Sequence, residues 1–230
     1  MLDLLVGALV YSNLLALMAV GLSLALITCR VSNFAQGDFA IIGVYAAYTL
    51  SVATGVTPYA WIPAAFAIGG LVSLLAYLLV FEPLRGRADL VTLMVVSMAL
   101  DVVIRYTLHV YADLMQQQFR VHTRLFMFGD FFVEVAGSKV PGVLLTSTAT
   151  VAVFLASLYV LLYRTKLGVA MRAAIENPGL AEGIGVNVKK VFALSWFLSG
   201  ALAASAGVFL PFRVMVNPDT GWFMLLPTFA

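Results

Sequence analysis

The chain has 230 residues, 63% of them apolar and 10% charged, with a formal net charge of +2 and a mean hydropathy of +1.03. A soluble domain carries about a quarter charged residues, so this composition describes an integral membrane protein, and a charge this small, with no basic run interleaved with aromatics, excludes a nucleic-acid partner. The only cysteine, Cys29, excludes a disulfide framework and a cysteine-built metal site.

The N-terminus, MLDLLVGALVY, has no basic leader and no small-residue cleavage site, and reads as a retained helix. Runs of about twenty apolar residues mark spans, and six are predicted: residues 4–28, 39–53, 59–81, 90–110, 142–163 and 191–212. A polar break, Val31-Ser32-Asn33-Phe34-Ala35-Gln36-Gly37-Asp38, separates the first two. Thr54-Gly55-Val56-Thr57-Pro58 makes a tight turn. A charged loop covers residues 82–89, and a long polar connection covers 111–141, with Arg120, His122, Arg124, Asp130, Glu134 and Lys139. After the sixth span come Arg213 and a second break, Val216-Asn217-Pro218-Asp219-Thr220-Gly221.

The loop at residues 164–190 concentrates charge: Arg164, Lys166, Arg172, Glu176, Glu182, Lys189 and Lys190. Leu167, Ala170, Met171, Ala174 and Ile175 recur at helical spacing, which predicts a short amphipathic helix, with Arg172 and Glu176 placed to pair across one turn. Asn177-Pro178 ends it and starts another, with Asn177 as cap and Pro178 as the first helical residue. Leu180, Ala181 and Ile184 form the apolar stripe of this second helix, and Gly183 or Gly185 ends it. Two such helices suit docking to a soluble partner, and they equally suit a solvated, positively charged loop. With this loop cytoplasmic, alternation also places Arg30, Arg85 and Arg87 there, so eight of the thirteen basic residues share one side, all in short loops. That bias puts the N-terminus outside.

Other charges and small residues carry weaker signals. Asp101 and Arg105 lie four apart in the fourth span, where they can neutralise each other, and Arg105 can snorkel. His109 and His122 are isolated, and no cluster has metal-ligand spacing. There is no nucleophile elbow and no phosphate-binding Gly-x4-Gly-Lys-Ser/Thr, so energy must come from a partner or an ion gradient. Gly200 with Ala204, and Ala203 with Gly207, permit close helix approach, either within the chain or in a dimer.

The break at Asn33–Asp38 reads either as a helix interruption whose backbone lines a cavity or as a plain turn, and Asp38 could cap the helix that follows. Asn217 to Gly221 repeats the Asn-x-x-x-Gly spacing of Asn33 to Gly37. The helices before the two breaks run in opposite directions in the predicted topology, which is the plan of an inverted repeat. The fold class is therefore all-α: a polytopic transmembrane helical bundle with inverted-repeat character and interrupted short helices.

Two segments carry a family resemblance. Arg164, Lys166-Leu167-Gly168, Met171-Arg172-Ala173-Ala174-Ile175-Glu176-Asn177, Ala181 and Gly185-Val186-Asn187 resemble the cytoplasmic loop of permease subunits in branched-chain amino-acid ABC transporters, a family that includes urea and amide permeases. Ser32-Asn33-Phe34-Ala35-Gln36-Gly37-Asp38, followed by Ile42-Gly43-Val44-Tyr45, is similar to that family's Asn-Phe-Ala-(His/Gln)-Gly-(Glu/Asp) signature. Val169 and Asp101 depart from the pattern, since relatives often carry a basic residue and a small one there.

The resemblance implies a translocation path beside Asn33, Phe34, Gln36, Gly37, Asp38, Gly43, Asn217 and Gly221, with the Asn33 and Gln36 side chains lining it. It implies ATPase coupling through Arg164, Gly168, Arg172, Ala173, Glu176, Asn177, Ala181 and Gly185, with small residues packed against the partner. It also implies a subunit of a prokaryotic plasma (inner) membrane importer, set among membrane lipid, with no ATPase motif or cofactor of its own. Its partners would be a second permease, two cytoplasmic ATPase subunits that bind the ATP, and an extracytoplasmic substrate-binding protein. Branched-chain or other hydrophobic amino acids, urea and short amides all remain open as cargo. An ion-coupled secondary transporter would need midplane ion ligands, for which only Asp101 is a candidate, and an intramembrane enzyme would need a nucleophile–base pair that is not found. Only nine residues follow Gly221, so by the repeat logic the chain is expected to be a C-terminal truncation lacking roughly two to four spans.

Overall fold

The computed structural model describes residues 2–135 and 138–229. Ala230, on which the expected truncation turns, lies outside the described residues. Among the described residues six helical segments are long and apolar enough to cross a membrane: Leu4–Cys29, Gln36–Thr54, Pro58–Leu84, Leu90–Phe119, Gly142–Arg164 and Val188–Phe212.

Helix α1 (Leu2–Cys29) ends where Arg30 turns into the left-handed region at φ 57°, its N–H held by the Leu26 carbonyl. Helix α2 (Gln36–Thr54) starts three residues earlier than the hydropathy predicts, because Gln36, Gly37 and Asp38 are already helical. Helix α3 (Ile62–Ala76) is entered through a 3-10 turn at Pro58–Trp61 and left through a π-helical turn at Tyr77–Phe81 and the short α4 (Glu82–Leu84). Asp89 caps α5 (Leu90–Phe119) by accepting from the Thr92 N–H, and the hydrogen bonds from Thr92 lower its pKa.

Helix α5 corrects the predicted end of the fourth span at residue 110. Polar residues begin there, yet Ala112 and Met115 continue its buried face and neither Gly nor Pro interrupts it, so the helix runs nine residues further. The polar connection accordingly starts at Arg120 and contains an antiparallel hairpin, β1 (Phe132–Val135) with β2 (Ser138–Pro141), which the sequence reading did not foresee. Helix α6 (Gly142–Arg164) leads into α7 (Lys166–Glu176) and α8 (Pro178–Gly183). The central α9 (Val188–Gly207) follows, then a 3-10 turn at Leu210–Phe212 and α10 (Thr220–Phe229).

Helix α9 is the axis of the bundle. Ser199 to Gly207 is an unbroken buried run of small residues and one leucine. In lipid, apolar surface gives helices no reason to associate, so close van der Waals packing between small residues has to supply it. A Cβ on Gly200 would strike Ser73 of α3, and one on Gly207 would strike the Ala40 carbonyl of α2. The small-residue pairs in α9 thus serve packing within the chain. Helix α1 runs antiparallel to α9: its Leu4–Leu14 half shares a cavity with Phe209, Leu210 and Arg213, and its Cys29 end lies by Phe192 and Trp196. Trp196, Tyr45, Tyr77, Phe39 and Phe209 fill the interior.

Candidate functional site

The segment between α1 and α2 doubles back. The Gln36 amide donates to the Met18 carbonyl at 3.2 Å, eleven residues above the end of α1 at Cys29. At 1.5 Å per residue that is about 16 Å back along the helix. Residues 31–33 therefore carry the chain back into a turn at Phe34-Ala35, and α2 begins deep in the bundle rather than at its edge. Irregular backbone at such depth must be satisfied by protein. Ser97 of α5 does part of this, accepting from the Phe34 N–H at 3.3 Å and donating to the Ser32 carbonyl at 2.9 Å. Asn33 adds to this locally, accepting from the Ala35 N–H at 3.1 Å and donating to Gln36 at 3.2 Å. Gln36 also donates to the Ser199 carbonyl at 3.3 Å and accepts from the Ser199 hydroxyl at 3.0 Å.

Asn33 and Gln36 were expected to line a path. Both are fully buried, and their polar atoms are engaged inside the chain. These bonds fasten the start of α2 to α1 and α9. The Phe34 ring packs on Phe229 of α10, centroids 5.5 Å apart.

The two breaks meet. A Cβ on Gly37 would collide with the Gly221 carbonyl, and one on Gly221 would lie 2.5 Å from Asp38 Oδ1. Gly43 packs as closely on the Ala204 carbonyl of α9. On the other side Asn217 forms a compact turn, its N–H donating to Thr220 Oγ1 at 3.0 Å while its Oδ1 accepts from the same hydroxyl at 2.9 Å. Helices α2 and α10 thus start against one another, and the equal spacing of the two breaks becomes a physical contact.

Asp38 does not cap α2. Ala35 holds the cap position, and the Asp38 carboxylate, 0% exposed, has no hydrogen-bond partner on either oxygen. Its neighbours come from α5: Arg105 Nε lies 3.7 Å from Asp38 Oδ2, and Arg105 Nη2 pairs with Asp101 at 2.5 Å. Trp222 of α10 covers the guanidinium, 5.0 Å from its ring centroid. One turn outward His109 Nε2 meets Asp219 at 3.1 Å, and beyond it Asp113 pairs with Arg124 at 2.8 Å. Ser97, Asp101, Arg105, His109 and Asp113 follow at steps of four along one helix, winding from its buried face to its flank over about 24 Å. The sequence reading found only the Asp101–Arg105 pair and left His109 isolated. The four-residue spacing was the available signal.

At the other end α6 and α7 fold tightly together. A Cβ on Gly168 would strike the Leu161 and Leu162 carbonyls, and Thr165 caps α7 through the Gly168 N–H. Arg172 does not pair with Glu176, because it reaches back to the Leu162 carbonyl and lies over the Tyr163 ring. Asn177 caps α8 as expected, accepting from the Leu180 N–H at 3.0 Å, and Gly185 takes φ +90° after the helix ends. Arg164, Glu176, Asn177 and Gly185 are exposed and Ala173 is half-buried. Ala181, expected to meet a partner, turns inward at 2% exposure, as do Met171 and Ala174. The outward apolar residues are Leu167, Val169, Leu180 and Ile184. Lys189 to Glu82 at 3.2 Å and Arg85 to Glu182 at 3.9 Å tie α8 and the foot of α9 to the inner end of α3 and α4.

The family model for the permease component of the branched-chain amino acid transport system matches residues 4–230. A probable branched-chain amino acid transport permease protein LivH from Methanocaldococcus jannaschii is 41% identical over 224 residues, covering 97% of this chain and 70% of that protein. BraD, a high-affinity branched-chain amino acid transport system permease protein of Pseudomonas aeruginosa, is 26% identical over 98% of this chain and 76% of its own length. Escherichia coli LivH, of the same description, is 24% identical over 94% of this chain and 72% of its own. No solved structure gives a significant match.

Proposed function

This chain belongs to the branched-chain amino acid transport permease family, and from that premise we propose that it carries branched-chain amino acids across the plasma membrane as the multi-pass permease subunit of an ATP-driven importer. The names of its relatives support this cargo over urea or short amides. The observation that carries the reading is the meeting of two interrupted helices at Gly37 and Gly221 beside buried charge. Interrupted helices at depth are where transporters place their cargo, because helix ends and irregular backbone there offer polar groups.

A second permease, two cytoplasmic ATPase subunits and an extracytoplasmic binding protein complete the system. Helices α7 and α8 receive the ATPase, with the N-terminus of the chain outside. Movement of α8 passes to α3 and α9 through the Arg85–Glu182 and Lys189–Glu82 pairs. The test is reconstitution of the whole complex in liposomes. Uptake of L-leucine that requires both ATP and the binding protein is the expected result. Uptake of urea with none of leucine would replace the cargo assignment.

A further inference from the structure

We infer that Asp38, with Arg105 and Asp101, is the site that holds the charged α-amino end of the cargo in transit, which favours a cargo with a free α-amino group over neutral amides. The inference rests on the transport reading above and adds the residues that recognise the substrate.

Three observations carry it. The first is unmet bonding. The Asp38 carboxylate is wholly buried with neither oxygen hydrogen-bonded, and Arg105 Nε, 3.7 Å from it, likewise makes no hydrogen bond. Buried polar groups in folded proteins are nearly all satisfied, and the Asn33–Gln36–Ser199 network at the start of the same helix obeys that rule. The second is charge. Asp38 and Asp101 share the single guanidinium of Arg105, so one carboxylate has no cation of its own. Charge within a membrane bundle is costly and marks function. A primary ammonium supplies both the cation and the hydrogen-bond donors that Asp38 lacks. Placed on Asp38, it leaves the cargo's carboxylate to Arg105 Nε, so each end of a zwitterion meets a group of opposite charge.

The third is position. Asp38 lies in the first turn of α2 and against the start of α10, so separation of these two half-helices would expose it. Gly221 closes over Asp38 in the conformation described, so cargo reaches the carboxylate only after α10 separates from α2. One turn further along α2 and α5, a groove of about 370 Å³ lined by Ile42, Ile104 and Leu108, and open to the surface beside Val103 and Tyr111, is apolar enough for the aliphatic side chain. A neutral cargo such as urea could donate to Asp38 and accept from Arg105 Nε, but it brings no cation to the second carboxylate.

The decisive measurement is the amount of L-leucine transported per ATP hydrolysed, in liposomes holding the full complex with its binding protein, for the wild type, Asp38→Asn, Asp38→Glu and Arg105→Lys. Asp38→Asn is expected to assemble and to keep binding-protein-stimulated ATP hydrolysis while leucine moved per ATP falls at least about tenfold. Asp38→Glu and Arg105→Lys, which keep the charges, are expected to retain more of it than Asp38→Asn. Wild-type stoichiometry in Asp38→Asn overturns the inference. So does an Asp38→Asn complex that fails to assemble, or an equal loss in all three variants, because either gives the carboxylate a structural role. A wild-type complex that moves no leucine at all defeats the cargo assignment instead, which separates the two failures.

Discussion

The α-carbon of Gly37 sits so close to Gly221 that a side chain on it would occupy the Gly221 carbonyl. One hundred and eighty-four residues separate the two glycines, and their contact joins the starts of two half-helices, α2 and α10. Gly37→Ala must push α10 away, at an overpacking cost of about 1–3 kcal/mol. Gly37→Leu cannot be accommodated without separating the half-helices. Uptake by the reconstituted complex is expected to fall with Gly37→Ala and to be lost with Gly37→Leu, while both variants remain associated with the partner subunits. Normal uptake by Gly37→Leu would return the segment to the status of a plain turn.

The outward face of α7 and α8 makes a second prediction. Leu180 and Ile184 are 66% and 73% exposed, whereas Ala181 is 2% exposed. Leu180→Arg and Ile184→Arg should change stability by no more than about 0.5 kcal/mol, as exposed substitutions do, yet lower co-purification with the ATPase or the hydrolysis it couples to transport. Ala181→Arg should instead destabilise the chain by on the order of 3 kcal/mol, since a long charged side chain replaces a buried methyl. Thermal unfolding in detergent alongside ATPase assays separates the two. Full coupling in both exposed variants would leave α7 and α8 a solvated loop.

Orientation can be read by labelling in a Cys29→Ala background. Glu182 is exposed on α8, and Glu134 is exposed on the β1 strand of the opposite connection. Cysteine placed at 182 is expected to react with an impermeant maleimide only after the cytoplasmic side is opened, and cysteine placed at 134 from outside in intact cells. Inverted labelling would reverse the topology and remove the ATPase from α7 and α8.

Packing around α9 gives a matched pair of substitutions. A Cβ on Gly207 would strike the Ala40 carbonyl, while nothing lies within 4 Å of one on Gly7. Gly207→Val is expected to abolish recovery of folded protein, and Gly7→Val to leave it within a factor of two of wild type, on the order of 0.4 kcal/mol. Equal recovery would mean that α9 is not the axis of the bundle.

Several features were legible because they are local. Six spans follow from the length of apolar runs, since the thickness of the hydrocarbon sets that length whatever surrounds it. The Asn177 cap follows from an Asn-Pro pair, which needs only the geometry of one turn. The end of α5 was misread because polarity marks where a helix leaves the membrane, whereas the helix itself stops only when its bonding or its packing does.

The amino-acid sequence by itself determined where the chain crosses, where its helices break, and that the two breaks share one spacing. It could not say that Gly37 rests on Gly221, that Gln36 is consumed by α1 and α9, or that Asp38 shares Arg105 with Asp101. Asp38 and Arg105 are separated by an entire membrane crossing and back. Periodicity fixes which face of a helix is apolar, but it does not fix which other helix that face will meet. That choice belongs to the small residues of α9, whose close packing sets the depth of α2 and brings distant charges together.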